Sequence, residues 1–295
     1  MNLLQISALT EQEAREYMER VIWPHGSVCP KCGNRERNSR IHGKTARAGL
    51  YSCGVCRKQF TVTVGTIMEN SHLSCKQWAI AFHLMCSSKK GISALQLQRE
   101  LGMGSYESAW FLAQRIRAAM EESNKISGTV EIDETYVGGK GHGIYERGKG
   151  TKKAPVVAMI GREKGIHTRV VERTDGKTLK AAIREVVTPD STIMTDQYTA
   201  YWGLSREYAG HERVNHSKKE YSRGDAHVNT AESYFALLKR GIHGTFHHVS
   251  KKHLERYCHE FNFRWERRKI NDSERCDSVV SMMSGKRLTY KKLTE

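Results

Sequence analysis

The chain has 295 residues, 38% of them hydrophobic and 27% charged, with 48 Lys+Arg against 32 Asp+Glu and a formal net charge of +16. That apolar content excludes wholesale disorder, and no apolar run approaches the roughly 18 residues a membrane-crossing helix needs. The excess of positive charge points to a polyanionic partner, with nucleic acid first, and leaves open whether the chain is an enzyme or a passive binder.

The opening stretch Met1-Asn2-Leu3-Leu4-Gln5 lacks a basic segment followed by an apolar one, so secretion is not expected and a cytoplasmic protein is. The 8 cysteines then read as metal ligands or reduced thiols rather than disulfides. Thr10-Glu11-Gln12-Glu13 is a capping box, followed by apolar residues at Ala14, Tyr17, Met18, Val21 and Ile22 with helical spacing. Trp23-Pro24-His25-Gly26 ends that helix. Residues 27–66 hold two cysteine pairs and the alternating run Gln59-Phe60-Thr61-Val62-Thr63-Val64, which predicts short strands and turns around a metal. From Ser74 to about Met120 three short helices follow, with Ser93 and Ser105 as caps of the second and third, in the manner of a helix-turn-helix. A polar stretch, 121–128, leads into an α/β pattern. Strands are predicted over 129–137, over 155–160 and 167–171 as a hairpin, and over 191–196. Helices are predicted over 178–187, 229–242 and 250–268.

Cys29-Pro30-Lys31-Cys32 and Cys53-Gly54-Val55-Cys56 are matched Cys-x2-Cys knuckles with twenty residues between them. Two residues between ligands let each turn aim both thiolates at one ion, and two knuckles close a tetrahedral S4 site for one structural Zn²⁺. Such an ion replaces a core that about 40 residues cannot supply. Cys75, Cys86, Cys258 and Cys276 have no such spacing and read as small core or surface residues. Arg35, Arg37, Arg40, Lys44, Arg47, Arg57 and Lys58 decorate the ribbon, either as a solvated face or as phosphate contacts. In the third helix, Gln114, Arg115 and Arg117 are the side chains expected to reach a DNA groove.

Three acids stand out by their setting. Asp133 lies in the first strand of the second half, Asp196 ends the buried strand, and Glu232 sits in the first turn of a later helix. Singly, Asp196 could cap a turn and Glu232 could complement a helix dipole. Together, with intervals of 62 and 35 residues, they have the layout of an RNase H-like nuclease core. There, carboxylates converge on two hard cations for phosphoryl transfer. Lys239, two helical turns beyond Glu232, shares its face and could meet a DNA phosphate; Asn229, one turn before, could orient Glu232 or the substrate. Glu131 shares the strand face of Asp133 as a spare acid, while Glu134 is expected on the opposite face.

These residues resemble the DDE insertion-sequence transposases of the Merlin-related group. The resemblance rests on Val130-Glu131-Ile132-Asp133-Glu134-Thr135-Tyr136-Val137-Gly138-Gly139-Lys140, Thr195-Asp196 and His227-Val228-Asn229-Thr230-Ala231-Glu232. It continues through Leu237-Leu238-Lys239-Arg240-Gly241, His247-His248-Val249-Ser250-Lys251-Lys252-His253-Leu254, and the ribbon with Arg57-Lys58-Gln59-Phe60 after it. It spans about residues 15–270. It implies an α/β fold with an RNase H-like mixed-sheet catalytic domain, preceded by a zinc ribbon and a small helix-turn-helix-like domain. The corresponding divisions are 1–72, 73–122 and 123–272, with 273–295 as a tail. It implies two Mg²⁺ ions, for which Mn²⁺ may substitute, on Asp133, Asp196 and Glu232. Lys239 takes the place of the basic residue seven after the third acid. Some relatives use Asn at the third position, so Asn229 is the alternative to Glu232; the interval and Lys239 favour Glu232. The implied partner is double-stranded DNA, as transposon ends and target, held by Lys239, Arg240, Lys251, Lys252, Arg264, Arg267 and Arg268. The expected function is cleavage of the terminal inverted repeats and joining of the 3′-hydroxyl to target DNA by a dimer or larger assembly. The alternative is a retired transposase that acts as a DNA-binding regulator. Rolling-circle chemistry is excluded, since none of the 14 histidines forms a His-x-His pair.

Overall fold

Thr10 accepts a hydrogen bond from the Glu13 N–H at 3.2 Å, and the Glu13 carboxylate accepts the Thr10 N–H at 2.7 Å. That reciprocal cap starts helix α2 (Glu11–Ile22), which follows α1 (Leu3–Ala8). The computed structural model describes residues 1–43, 45–138, 153–215 and 222–295. Lys44, expected among the phosphate contacts, and Gly139-Lys140, part of the resemblance, lie outside the described residues. The chain divides into two compact units, Met1–Met120 with Lys269–Glu295, and Glu121–Arg268.

In the first unit, strands β1 (Asn38–Arg40), β2 (Tyr51–Cys53) and β3 (Gln59–Phe60) form an antiparallel sheet in the order β1-β2-β3. The alternating run after Gln59 yields only this short strand. Past Phe60 the chain turns, with Val64 N–H donating to the Thr61 carbonyl at 3.1 Å. Helices α3 (Cys75–Ser87), α4 (Ala94–Glu100) and α5 (Tyr106–Ala119) start at Ser74, Ser93 and Ser105, each of which accepts a backbone N–H.

The second unit is a five-stranded sheet of β4 (Thr129–Val137), β5 (Ala154–Gly161), β6 (Ile166–Val170), β7 (Thr192–Thr195) and β8 (Gly210–Arg213), with helix α6 (Gly176–Val186) between β6 and β7. The order is β6-β5-β4-β7-β8. β4, β5 and β6 are an antiparallel meander, and β4, β7 and β8 run parallel. Strand β8 falls in a stretch without clear alternation. Helices α7 (Asn229–Gly241) and α8 (Lys251–Glu266) complete the unit. One sheet face packs Val130, Ile132, Val157 and Met159 against Leu179 and Ile183 of α6. The other packs Val156, Ala158 and Ile160 against Tyr234 and Leu238 of α7 and Phe261 of α8. Covered on both faces, β5 is buried along its whole length, which is why it reads as an unbroken apolar run. Helices on both sides of this mixed sheet are the RNase H-like architecture.

The segment expected as a tail folds back into the first unit as α9 (Asp272–Ser281) and α10 (Tyr290–Thr294). Tyr17 Oη donates to Asp277 Oδ1 at 2.5 Å, and Arg275 donates to the Cys86 carbonyl at 2.9 Å. The N-terminal helix and ribbon, the three central helices and this C-terminal segment therefore share one compact unit. Cys75, Cys86, Cys258 and Cys276 are buried singly, and burial pushes the thiols of Cys75, Cys258 and Cys276 up to about 12. Among the described residues, no helix is long and apolar enough to cross a membrane.

Candidate active site and zinc ribbon

The two knuckles bring Cys29, Cys32, Cys53 and Cys56 together, with all four Sγ atoms within 4.8 Å of one another. The Cys29–Cys56 and Cys32–Cys53 sulfurs lie 3.7 and 3.6 Å apart. A tetrahedron with sulfurs about 2.3 Å from its centre has edges of about 3.8 Å, so the set fits Zn²⁺. Each knuckle closes by a backbone bond, Gly33 N–H to the Cys29 carbonyl and Arg57 N–H to the Cys53 carbonyl, both 2.9 Å. The backbone N–H of Cys56, aided by that of Val55, draws the Cys53 thiol down to about 6, towards the thiolate a metal needs. Trp23, Tyr51 and Phe60 pack ring against ring beside it.

Around the ribbon, Arg35, Arg37, Arg47, Arg57 and Lys58 are exposed, whereas Arg40 is half-buried over the Tyr51 ring. The third helix departs from expectation. Gln114, Arg115 and Arg117 are all buried. The Arg115 guanidinium donates to the carbonyls of Leu288 (3.4 Å) and Glu69, and lies 4.7 Å from the Phe111 ring centre. The reading of these three side chains as groove contacts is therefore corrected: they belong to the interior. The physical reason is the returning C-terminal segment, whose Leu288 carbonyl receives Arg115; on α5 itself only the first turn, Tyr106 to Ser108, is exposed.

In the second unit the central strands set the geometry. Parallel β4 and β7 pair Thr129 with Thr192, Val130 with Ile193 and Glu131 with Met194. Continued by two residues, this register sets Asp133 beside Asp196, at the carboxyl ends of the strands, where α/β sheets bind ligands. Both are half-buried. Asp196 Oδ1 accepts the Tyr198 N–H at 2.9 Å and Asp133 Oδ1 accepts the Glu134 N–H at 2.9 Å. Burial pushes the Asp133 carboxyl up to about 7, with further push from the charges of Glu134, Asp196 and Glu232. Asp133, Asp196 and Glu232, which span 100 residues of sequence, thus share one electrostatic neighbourhood. The fourth acid is Glu134. Alternation sends it to the opposite face, yet it is the strongest charged neighbour of Asp133. Burial also raises Glu134, against a hydrogen bond from Tyr201 Oη. The carboxylates do not close to the spacing of the cysteines, which among the described residues form the one such cluster. Burial first, and like charges second, disfavour the ionised Asp133 carboxyl, and a cation held there would relieve both. Hard oxygen donors in that setting fit Mg²⁺.

On α7, Asn229, Glu232, Lys239 and Arg240 are all exposed, Glu232 in the first turn and Lys239 in the last. On α8, Lys251 and Lys252 are exposed at the start, and Lys251 Nζ reaches Glu172 at 2.6 Å. Arg264 is corrected as a backbone contact, because it is buried and paired with Glu260 one turn earlier. Arg267 is paired with Glu122 over the Phe263 ring; Arg268 is exposed. Two residues outside the expected set matter here, Tyr201 and Glu131. The visible hint for Glu131 was that α7 starts after Val228, a residue that cannot cap a helix.

An RNase H-like sheet with acids at its central strand ends, in one chain with a four-cysteine ribbon, is the build of a DDE transposase. An ISXO2-like transposase domain matches residues 125–266 and a transposase zinc-ribbon domain matches residues 9–59. An uncharacterised protein in transposable element ISH50 of Halobacterium salinarum is 29% identical over 275 residues, 88% of this chain and 92% of its own length. A transposase-like protein of Haemophilus influenzae is 30% identical over 105 residues, 36% of this chain and 84% of its own length. The chain belongs to the ISXO2-like family of DDE transposases with an N-terminal zinc ribbon.

Proposed function

We propose that the protein binds the terminal inverted repeats of its element, cleaves the ends and joins the freed 3′-hydroxyl to target DNA. Asp133, Asp196 and Glu232 hold two Mg²⁺ ions, replaceable by Mn²⁺. When bound, such a pair activates the attacking oxygen and stabilises the leaving one. Water attacks the phosphodiester at the transposon end, the bond from phosphorus to the 3′ oxygen breaks, and a 3′-hydroxyl is left. That hydroxyl then attacks a target phosphate and displaces the target's own 3′ oxygen. Lys239, exposed on the face of Glu232, sets its ammonium against the phosphate, and Asn229 orients Glu232 or the substrate. Arg240, Lys252 and the exposed ribbon cations hold the DNA backbone. Two ends must be joined, so the working form on DNA is a dimer or larger.

The observation that supports this reading is the β4–β7 register, which continued by two residues brings Asp133 level with Asp196, together with the charge of Glu232 acting on Asp133. The test uses labelled DNA from the repeats flanking the reading frame, an unlabelled target duplex and Mg²⁺, with wild type and Asp196→Ala side by side. Joined products from wild type alone are expected. Binding without chemistry in both Mg²⁺ and Mn²⁺ would favour a DNA-binding regulator instead.

A further inference from the structure

Glu131 is completely buried, on the strand that carries Asp133 and two residues before it. A buried carboxylate demands partners, and this one has them. Its Oε1 accepts from Arg162 Nε at 2.8 Å and Thr230 Oγ1 at 2.9 Å; His227 Nδ1 lies 3.2 Å away but donates no hydrogen bond to it. Its Oε2 accepts the backbone N–H of Thr230 at 2.8 Å and of Ala231 at 3.3 Å. With these donors in place the carboxylate has no free lone pair for a metal.

Thr230 and Ala231 are the second and third residues of α7, and Glu232 is the fourth. Their N–H groups are among those a helix leaves without partners at its start. Helices α2 to α6 and α9 each satisfy them with a Ser, Thr, Asp or Asn immediately before the helix. α7 is preceded by Val228 and has no such cap. The cap comes instead from the neighbouring strand. Arg162 extends the same brace, donating through Nη2 to the carbonyls of Asp225 (2.7 Å) and His227 (3.2 Å) on the approach to α7.

We propose that Glu131 is a positioning residue for the active site: it caps α7 from strand β4 and so fixes the separation between Asp133 on the strand and Glu232 on the helix. The proposal rests on the reading of Asp133, Asp196 and Glu232 as cation ligands. A catalytic constellation must be held to about 0.5 Å, and a helix start anchored by charge and two backbone bonds to the strand bearing another ligand supplies that constraint. The negative charge also complements the positive end of the α7 dipole.

Glu131→Gln, in the zinc-loaded full chain, keeps the shape but turns one acceptor into a donor that faces other donors. Expected are at least tenfold faster hydrogen exchange at the Thr230 and Ala231 amides and Mn²⁺ affinity, by electron paramagnetic resonance, lowered about 10–100-fold. End cleavage should fall by a similar factor, with affinity for end DNA unchanged. Asp196→Ala serves as the control, with cleavage lost and exchange at Thr230 and Ala231 as in wild type. Should wild type itself not cleave, the proposed function fails, while exchange and Mn²⁺ affinity still decide the role of Glu131. Wild-type exchange at the two amides would overturn the cap. Faster exchange with unchanged Mn²⁺ affinity and cleavage would reduce Glu131 to an ordinary stabilising contact and overturn the proposal. If the Gln variant does not fold, Thr230→Val removes only the hydroxyl donor; a several-fold loss of Mn²⁺ affinity at unchanged melting temperature is then expected, and no loss would overturn the proposal.

Discussion

The zinc ribbon and the proposed cation site of this chain are built in opposite ways. In the ribbon all four ligands fall within 28 residues and two short turns aim them. In the second unit the three acids span 100 residues and come from the middle of one strand, the end of another and the start of a helix. A local site carries its geometry in its own spacing. A dispersed site inherits its geometry from sheet register and helix docking, and in our proposal it depends on Glu131, which would never touch the metal.

If the ribbon is a self-contained metal fold, Cys53→Ser should break it outright. A structural zinc contributes about 10 kcal/mol or more to folding, so the variant should lose its zinc by metal analysis, unfold residues 27–66 and weaken end binding. Retained zinc would contradict the four-cysteine assignment.

The buried and exposed cations of the first unit sharpen the contrast next. Arg115→Met should destabilise by about 2–4 kcal/mol, as expected on breaking a buried hydrogen-bonded network, yet leave the salt dependence of DNA binding unchanged. Replacing the exposed Arg57 and Lys58 by Ala should do the reverse, lowering the slope of log K against log salt by about 2 if each meets a phosphate. A flat salt response in wild type would count against the ribbon as a DNA surface.

The smallest expected effect concerns the edge of the five-stranded sheet. His211, on β8, bonds Thr195 Oγ1 through Nε2 at 2.9 Å. Burial holds its ring down to about 4 from 6.5, with Arg213 and Lys180 adding to the shift and Glu212 opposing it. The folded state keeps this ring neutral where the unfolded chain protonates it. Its contribution to stability is therefore full above about pH 6.5 and is lost as the pH falls towards 4. Melting temperatures of wild type and His211→Asn should diverge over that window, with wild type losing more on acidification. Parallel curves would contradict it.

Much of this was legible in the residues. The knuckle spacing named the zinc ligands, and the elements that carry Asp133, Asp196 and Glu232 were legible because hydrophobic period and capping are local signals. What was not legible depends on distant packing. Gln114, Arg115 and Arg117 look like a recognition face until packing buries all three, Arg115 against the C-terminal segment, which has no motif of its own. Arg264 looks like a surface cation until Glu260 is found beside it in the interior. Glu131 and Glu134 look spare because alternation says which face a residue takes and nothing about what docks there.

The central claim is that Asp133, Asp196 and Glu232 form one cation site. Its most direct test is Mn²⁺ titration of the zinc-loaded protein bound to end DNA, followed by electron paramagnetic resonance, in wild type, Asp133→Asn, Asp196→Asn, Glu232→Gln and Asn229→Ala. The expected result is strong Mn²⁺ binding in wild type, severely weakened by each of the three acid replacements and little changed by Asn229→Ala. Binding that survives Glu232→Gln but fails with Asn229→Ala would move the third ligand to Asn229 and contradict the assignment.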